Sequence, residues 1–129
     1  MRYNARLLFS VCIAALPGKP GRPQVIEVIG TSVHLQWTAP KWKGATDITE
    51  YTIEFSKSDI AVSVDANAEP LKSYTIRNQL QPQTKYRFAV AAVNRARQGP
   101  WYRARQGPWS DESVVIKTLS RMLFFIKMS

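Results

Sequence analysis

Cysteine and histidine are nearly absent: the 129-residue chain holds one of each, Cys12 and His34. A lone thiol builds no disulfide framework, and one Cys with one His supplies neither a zinc cluster nor a catalytic pair. No apolar run reaches the about 20 residues that a membrane-spanning helix needs. Acids are scarce, nine against 18 bases. Asp47, Glu50, Glu54, Asp59, Asp65 and Glu69 are scattered over loops and outward strand positions, and no two face each other across an evident cleft. There is no phosphate-cradling glycine motif, no Asn-x-Ser/Thr sequon and no Arg-Gly-Asp triplet. These absences point away from an enzyme, and they leave no catalytic, cofactor-binding or metal-ligating residue to name. What is present is core material. Hydrophobic residues make up 45% of the chain and charged residues 21%, enough to bury one domain's interior.

The net charge of +9 is unevenly placed. Arg2, Arg6, Lys19, Arg22, Arg121 and Lys127 sit in the two ends, 1–22 and 119–129, which contain no acid. Between them, Arg95, Arg97, Arg103 and Arg105 crowd one short stretch. A nucleic-acid binder spreads its bases over a face or along a helix, so this pattern argues against nucleic acid.

Arg2 and Arg6 precede the apolar stretch Leu7–Leu16, with Ala14 and Ala15 near its end. That is the layout of a secretory signal peptide over residues 1–16, implying a secreted or cell-surface protein. A gene-model artefact or an unrelated leader is the alternative. Residues 17–22 are rich in Pro and Gly and read as a linker. Residues 119–129 form a tail whose apolar stretch, Met122–Ile126, is too short to span a bilayer.

Residues 23–118 alternate with the period of strands. Val33, Leu35 and Trp37 share one side, as do Tyr51, Ile53 and Phe55, then Tyr74 and Ile76, then Tyr86, Phe88 and Val90. Val25 and Val28 begin the series, and Val114 and Ile116 end it. Pro, Gly, Asn and Asp punctuate the gaps. The pattern predicts an all-β sandwich of two antiparallel sheets, with a barrel as the alternative closure and His34 on an outer face.

The strings SVHLQW (32–37), ITEYTIEF (48–55) and LQPQTKYRFAVAAVN (80–94) resemble a fibronectin type III domain. The resemblance implies an immunoglobulin-like sandwich of seven strands over 23–118 and a core including Trp37, Tyr51 and Leu80. It also implies a corner at Leu80, Pro82, Thr84 and Tyr86 in which the Tyr86 hydroxyl ties back to upstream backbone.

One departure stands out. Arg95-Ala-Arg-Gln-Gly-Pro-Trp101 recurs as Arg103-Ala-Arg-Gln-Gly-Pro-Trp109, with Tyr102 between. The copy is a recent duplication or an artefact. The Gly-Pro pairs predict that the loop at 95–109 bulges outward rather than forming strand. Chain parity places the 41–47 segment at the same pole. Lys41, Trp42 and Lys43 then join Arg95, Arg97, Trp101, Arg103 and Arg105 as a candidate partner site. The alternative is that Trp42 covers the rim of the core and the arginines are merely solvated. Asp111 and Glu112 read as local charge partners beside that loop. Trp109, or Trp101, is placed to stack over Lys85 and Arg87.

The expected function is a non-catalytic adhesion, interaction or spacer module of a secreted or cell-surface multidomain protein. Its partners would be proteins and neighbouring domains of a longer chain. Two alternatives stay open: an intracellular muscle array of the titin or twitchin type, and a module binding a sulfated polysaccharide through the basic pole.

Overall fold

A computed structural model describes residues 16–56, 58–63, 71–98 and 101–120, with backbone alone for 96–98, 101 and 102. The candidate signal segment and the 121–129 part of the tail lie outside the described residues.

The described chain is all β, in antiparallel pairs. Strands β1 (Gln24–Ile29), β2 (Ser32–Thr38) and β5 (Leu71–Ile76) form one sheet in the order β1-β2-β5. Strands β3 (Ile48–Phe55), β4 (Ser58–Ser63), β7 (Phe88–Gln98) and β8 (Trp101–Trp109) form the second, ordered β4-β3-β7-β8. Two short segments, β6 (Lys85–Tyr86) and β9 (Ile116–Lys117), pair with each other. Arg87 alone separates β6 from β7.

Alternation puts one face of each sheet inside. Val33, Leu35, Trp37, Tyr51, Ile53, Ile76, Leu80, Tyr86, Phe88 and Val90 belong to one buried cluster. Burying each of the large side chains is worth about 1.5–3 kcal/mol. Trp37 and Tyr51 meet edge to face at 5.3 Å. Burial pushes the Tyr51 hydroxyl from its ordinary 10.0 up to about 12. The Trp37 indole N–H partly offsets this, but its geometry falls short of a hydrogen bond, leaving Nε1 a buried donor without an acceptor. Val25 and Val28 are both half-buried although three residues apart, because a bulge at Ile26 shifts the register between Val25 and Glu27.

Tyr74 departs from the expected core. It lies opposite Leu35, which is fully buried, yet is itself 36% exposed. Strand β5 is an outer strand of its sheet, so on one side no neighbouring strand covers this ring. The corner forms as expected: the Gln81 N–H donates to the Tyr86 hydroxyl at 2.8 Å.

The last part of the chain is held by hydroxyls. Ser110 and Val90 exchange two hydrogen bonds, as do Ser113 and Phe88, and Thr118 and Thr84. In each, the backbone N–H of the Ser or Thr donates to the partner's carbonyl, and its hydroxyl accepts the partner's N–H. Residues 110–115 are not strand, but these pairs satisfy buried backbone as a ladder would.

The Pro/Gly lead-in packs onto the domain. Pro17, Pro20 and Pro23 are buried, and the N–H groups of Gly18 and Gly21 donate to Trp42 O and Thr38 O at 2.7 and 3.0 Å. A run read as a linker can do this because its spaced glycines keep the donors that the prolines lack.

Candidate interaction site

The duplicated segment does not bulge out as a loop. It lengthens a hairpin: Asn94 pairs with Arg105, Arg95 with Ala104, Ala96 with Arg103, Arg97 with Tyr102, and Gln98 with Trp101. Residues 99 and 100, the first Gly-Pro pair, fall between the strands, outside the described residues. The second pair is absorbed inside β8. Ala91 faces Trp109 and Val93 faces Gln106, so Gly107 and Pro108 together stand opposite Ala92. That two-against-one arrangement is a bulge on an edge strand, where a proline costs no ladder hydrogen bond. An added β-carbon on Gly107 would collide with the Pro17 carbonyl oxygen. Only glycine lets the lead-in approach so closely.

Strand β3 begins at Ile48, opposite Asn94. Residues 95–98 therefore run beyond it, and with 101–104 they form a two-stranded arm. Four residues at about 3.4 Å each carry it about 14 Å past the sheet. The arm contains Arg95, Arg97 and Arg103 and no acid, and Arg105 stands at its base opposite Asn94. Arg95 and Arg103 are exposed and Arg105 is half-buried. Arg97 and Trp101 are placed by backbone register only, in the pairs with Tyr102 and Gln98.

The 41–47 segment braces the base of the arm. Buried Asn94 donates from Nδ2 to Lys43 O at 3.1 Å, and Thr46 donates its hydroxyl to Arg95 O at 2.9 Å. Gly44, at φ 89°, makes the turn between Lys43 and Thr46 in a region that side chains avoid. The expected meeting of the two segments is thus seen at Lys43 and Arg95. Lys41 is exposed, and Trp42 is 57% exposed. Lys43 is neutralised by Asp47 at 2.7 Å. The residues that build the joint, Thr46 and Asn94, were not marked by charge or aromaticity in the sequence. Their only signal is an Asn closing an apolar strand.

The acids after the repeat serve other partners. Asp111 holds Lys19 at 3.0 Å and Arg22 at 3.8 Å, and Glu112 holds Arg87 at 3.6 Å. The hydrogen bond and charge of Lys19 keep the Asp111 carboxyl below its ordinary range. Arg87 thus turns to Glu112, while Trp109 stands in register with Ala91. His34 is half-buried on the outer face of its sheet, in an open groove with Glu27, Ile29, Ser32, Thr75 and Arg77. Among the described residues no group of His, Cys, Asp and Glu is arranged to hold a metal ion, and no helix is long and apolar enough to cross a membrane.

The described residues form a sandwich of antiparallel sheets with a tyrosine corner at Tyr86. The chain belongs to the fibronectin type III domain family, whose model matches residues 18–108. It is 32% identical over 90 residues, 70% of its length, to the Drosophila melanogaster tyrosine-protein phosphatase Lar. It is 37% identical over 84 residues, 64% of its length, to human Roundabout homolog 2. The matched stretches make up 4% and 6% of those proteins, so the domain is one small unit of much longer relatives. Among solved structures, domains A168–A170 of titin superpose with a TM-score of 0.60 at 25% identity, covering 81% of this chain and 33% of that one.

Proposed function

We propose that this domain is a non-catalytic interaction and spacer module of a multidomain protein that is secreted or displayed at the cell surface. It engages a protein partner through the basic arm and the loop at its base. The observation that carries this reading is the arm and its base: four arginines and no acid, three of them on a ribbon extending about 14 Å beyond the sheet. Arginine forks and exposed Trp42 suit an acidic protein surface. Retention on heparin and on immobilised polyglutamate, with and without residues 95–102, tests it. Both retentions should fall on deletion, and polyglutamate retention should fall more steeply with salt than that of a neutral control. Equal retention would remove the arm as a site. Loss on heparin alone would favour a sulfated polysaccharide.

A second reading, an intracellular muscle-type array, draws support from the titin similarity and from the packed lead-in, which suits a chain that fixes the angle between successive domains. A reporter fused to residues 1–22 separates the two. Secretion of the reporter supports the surface reading, and retention in the cytosol supports the array.

A further inference from the structure

We propose that the outer edge of β8 accepts an extended acidic segment of a partner protein as an added strand. This rests on the reading of the arm as the partner site and names how the partner is held.

The orientation of the edge follows from two hydroxyls on the β3 side. Thr49 donates to Val93 O at 3.4 Å and Thr46 to Arg95 O at 2.9 Å. In an antiparallel ladder, one residue's N–H and C=O point to the same side. Val93 and Arg95 therefore address β3, and their register partners Gln106 and Ala104 turn their backbone groups away from β7. Alternation adds Tyr102. Strand β8 ends the sheet order β4-β3-β7-β8, so among the described residues no strand lies beyond these groups. Below Gln106 the edge closes, because Gly107 lies against Pro17 and Pro108 has no N–H. The open stretch is thus 102–106, long enough to register a five-residue segment.

Charge selects the occupant. Arg103 and Arg105, two apart, share one face of the strand, and Arg95 stands in the alternate register. A second copy of this chain docked edge to edge would bring arginines against arginines, and like charges directly opposite are destabilising. A strand with acidic side chains at alternate positions would instead place them about 4.5–5.5 Å from the arginine positions. The competing idea is that the arginines only keep other strands off the edge.

The test uses the 129-residue chain and a fluorescein-labelled nine-residue peptide alternating Thr and Glu. A peptide of the same composition with its Glu residues in one block serves as the charge control. Ala104→Pro removes an outward N–H and keeps every arginine. The alternating peptide should bind the parent chain and bind A104P at least tenfold more weakly, while heparin retention stays unchanged. Equal binding to both proteins, or equal binding of the two peptides, would overturn the strand addition but leave the arm as a charge site. Unchanged binding of heparin and both peptides after deletion of 95–102 would instead overturn the arm itself. Should A104P fail to fold, amide exchange in the parent chain decides. The alternating peptide should slow Ala104 and Gln106 at least tenfold, and no slowing overturns the proposal.

Discussion

Ser110 and Val90 are joined by two hydrogen bonds: the serine N–H reaches the valine carbonyl at 2.8 Å, and the valine N–H reaches the serine Oγ at 2.9 Å. Ser110 directly follows the second copy of the repeat, so this pair fixes where the lengthened hairpin rejoins the sandwich. The hydroxyl stands where a strand would offer a carbonyl.

Ser110→Ala and Ser113→Ala should each cost about 1–3 kcal/mol, since each strands a buried N–H, that of Val90 or Phe88. Urea unfolding measures the loss. Neither residue touches the arm, so heparin retention should not change.

Tyr86→Phe should cost less, about 0.5–1.5 kcal/mol, because it removes the acceptor of the Gln81 N–H from a half-buried hydrogen bond while keeping the ring. A change under a few tenths of a kcal/mol would mean that the corner contributes shape and not a hydrogen bond.

Gly107→Ala should loosen the lead-in, because the new methyl would overlap the Pro17 carbonyl. Overpacking of this kind costs about 1–3 kcal/mol. Limited proteolysis between Lys19 and Arg22 should accelerate, with β2 and β3 still protected.

Stability should fall steeply on the alkaline side. The folded Tyr51 hydroxyl titrates near 12 against an ordinary 10.0, so the unfolded chain gives up its proton first. The contribution is complete below pH 10 and is lost as pH rises to about 12, at roughly 1.4 kcal/mol per pH unit. Tyr51→Phe should flatten that limb of the curve. Asp111 acts in the opposite direction. Its carboxyl is held low by Lys19, so that support is present above the ordinary carboxylate range and fades as pH falls. The pair is exposed, and its effect is correspondingly small.

The sandwich was legible because burial writes itself as period two. Val33, Leu35 and Trp37 could face only one way, and the spacing Leu80, Pro82, Thr84, Tyr86 carries its own corner. Tyr74 obeys the same alternation but sits on an edge strand, and alternation records the face, not the distance from the rim. The repeat was misread for a different reason. Gly-Pro breaks a central strand, but in β8 it falls on an edge and forms a bulge, so the remaining Arg-Ala-Arg-Gln stretches can pair with each other. The partners of Asp111 and Glu112 depended on where the lead-in folds, and nothing local in residues 17–22 announces that.

The most direct measurement is residue-resolved amide exchange along 94–106. A hairpin with the register described here protects Asn94, Ala96, Arg103 and Arg105, whose N–H groups face the opposite strand, and leaves Arg97 and Ala104 fast. Uniformly fast exchange from Arg95 to Arg105 would show a loop there and contradict the projecting arm on which the interaction site is built.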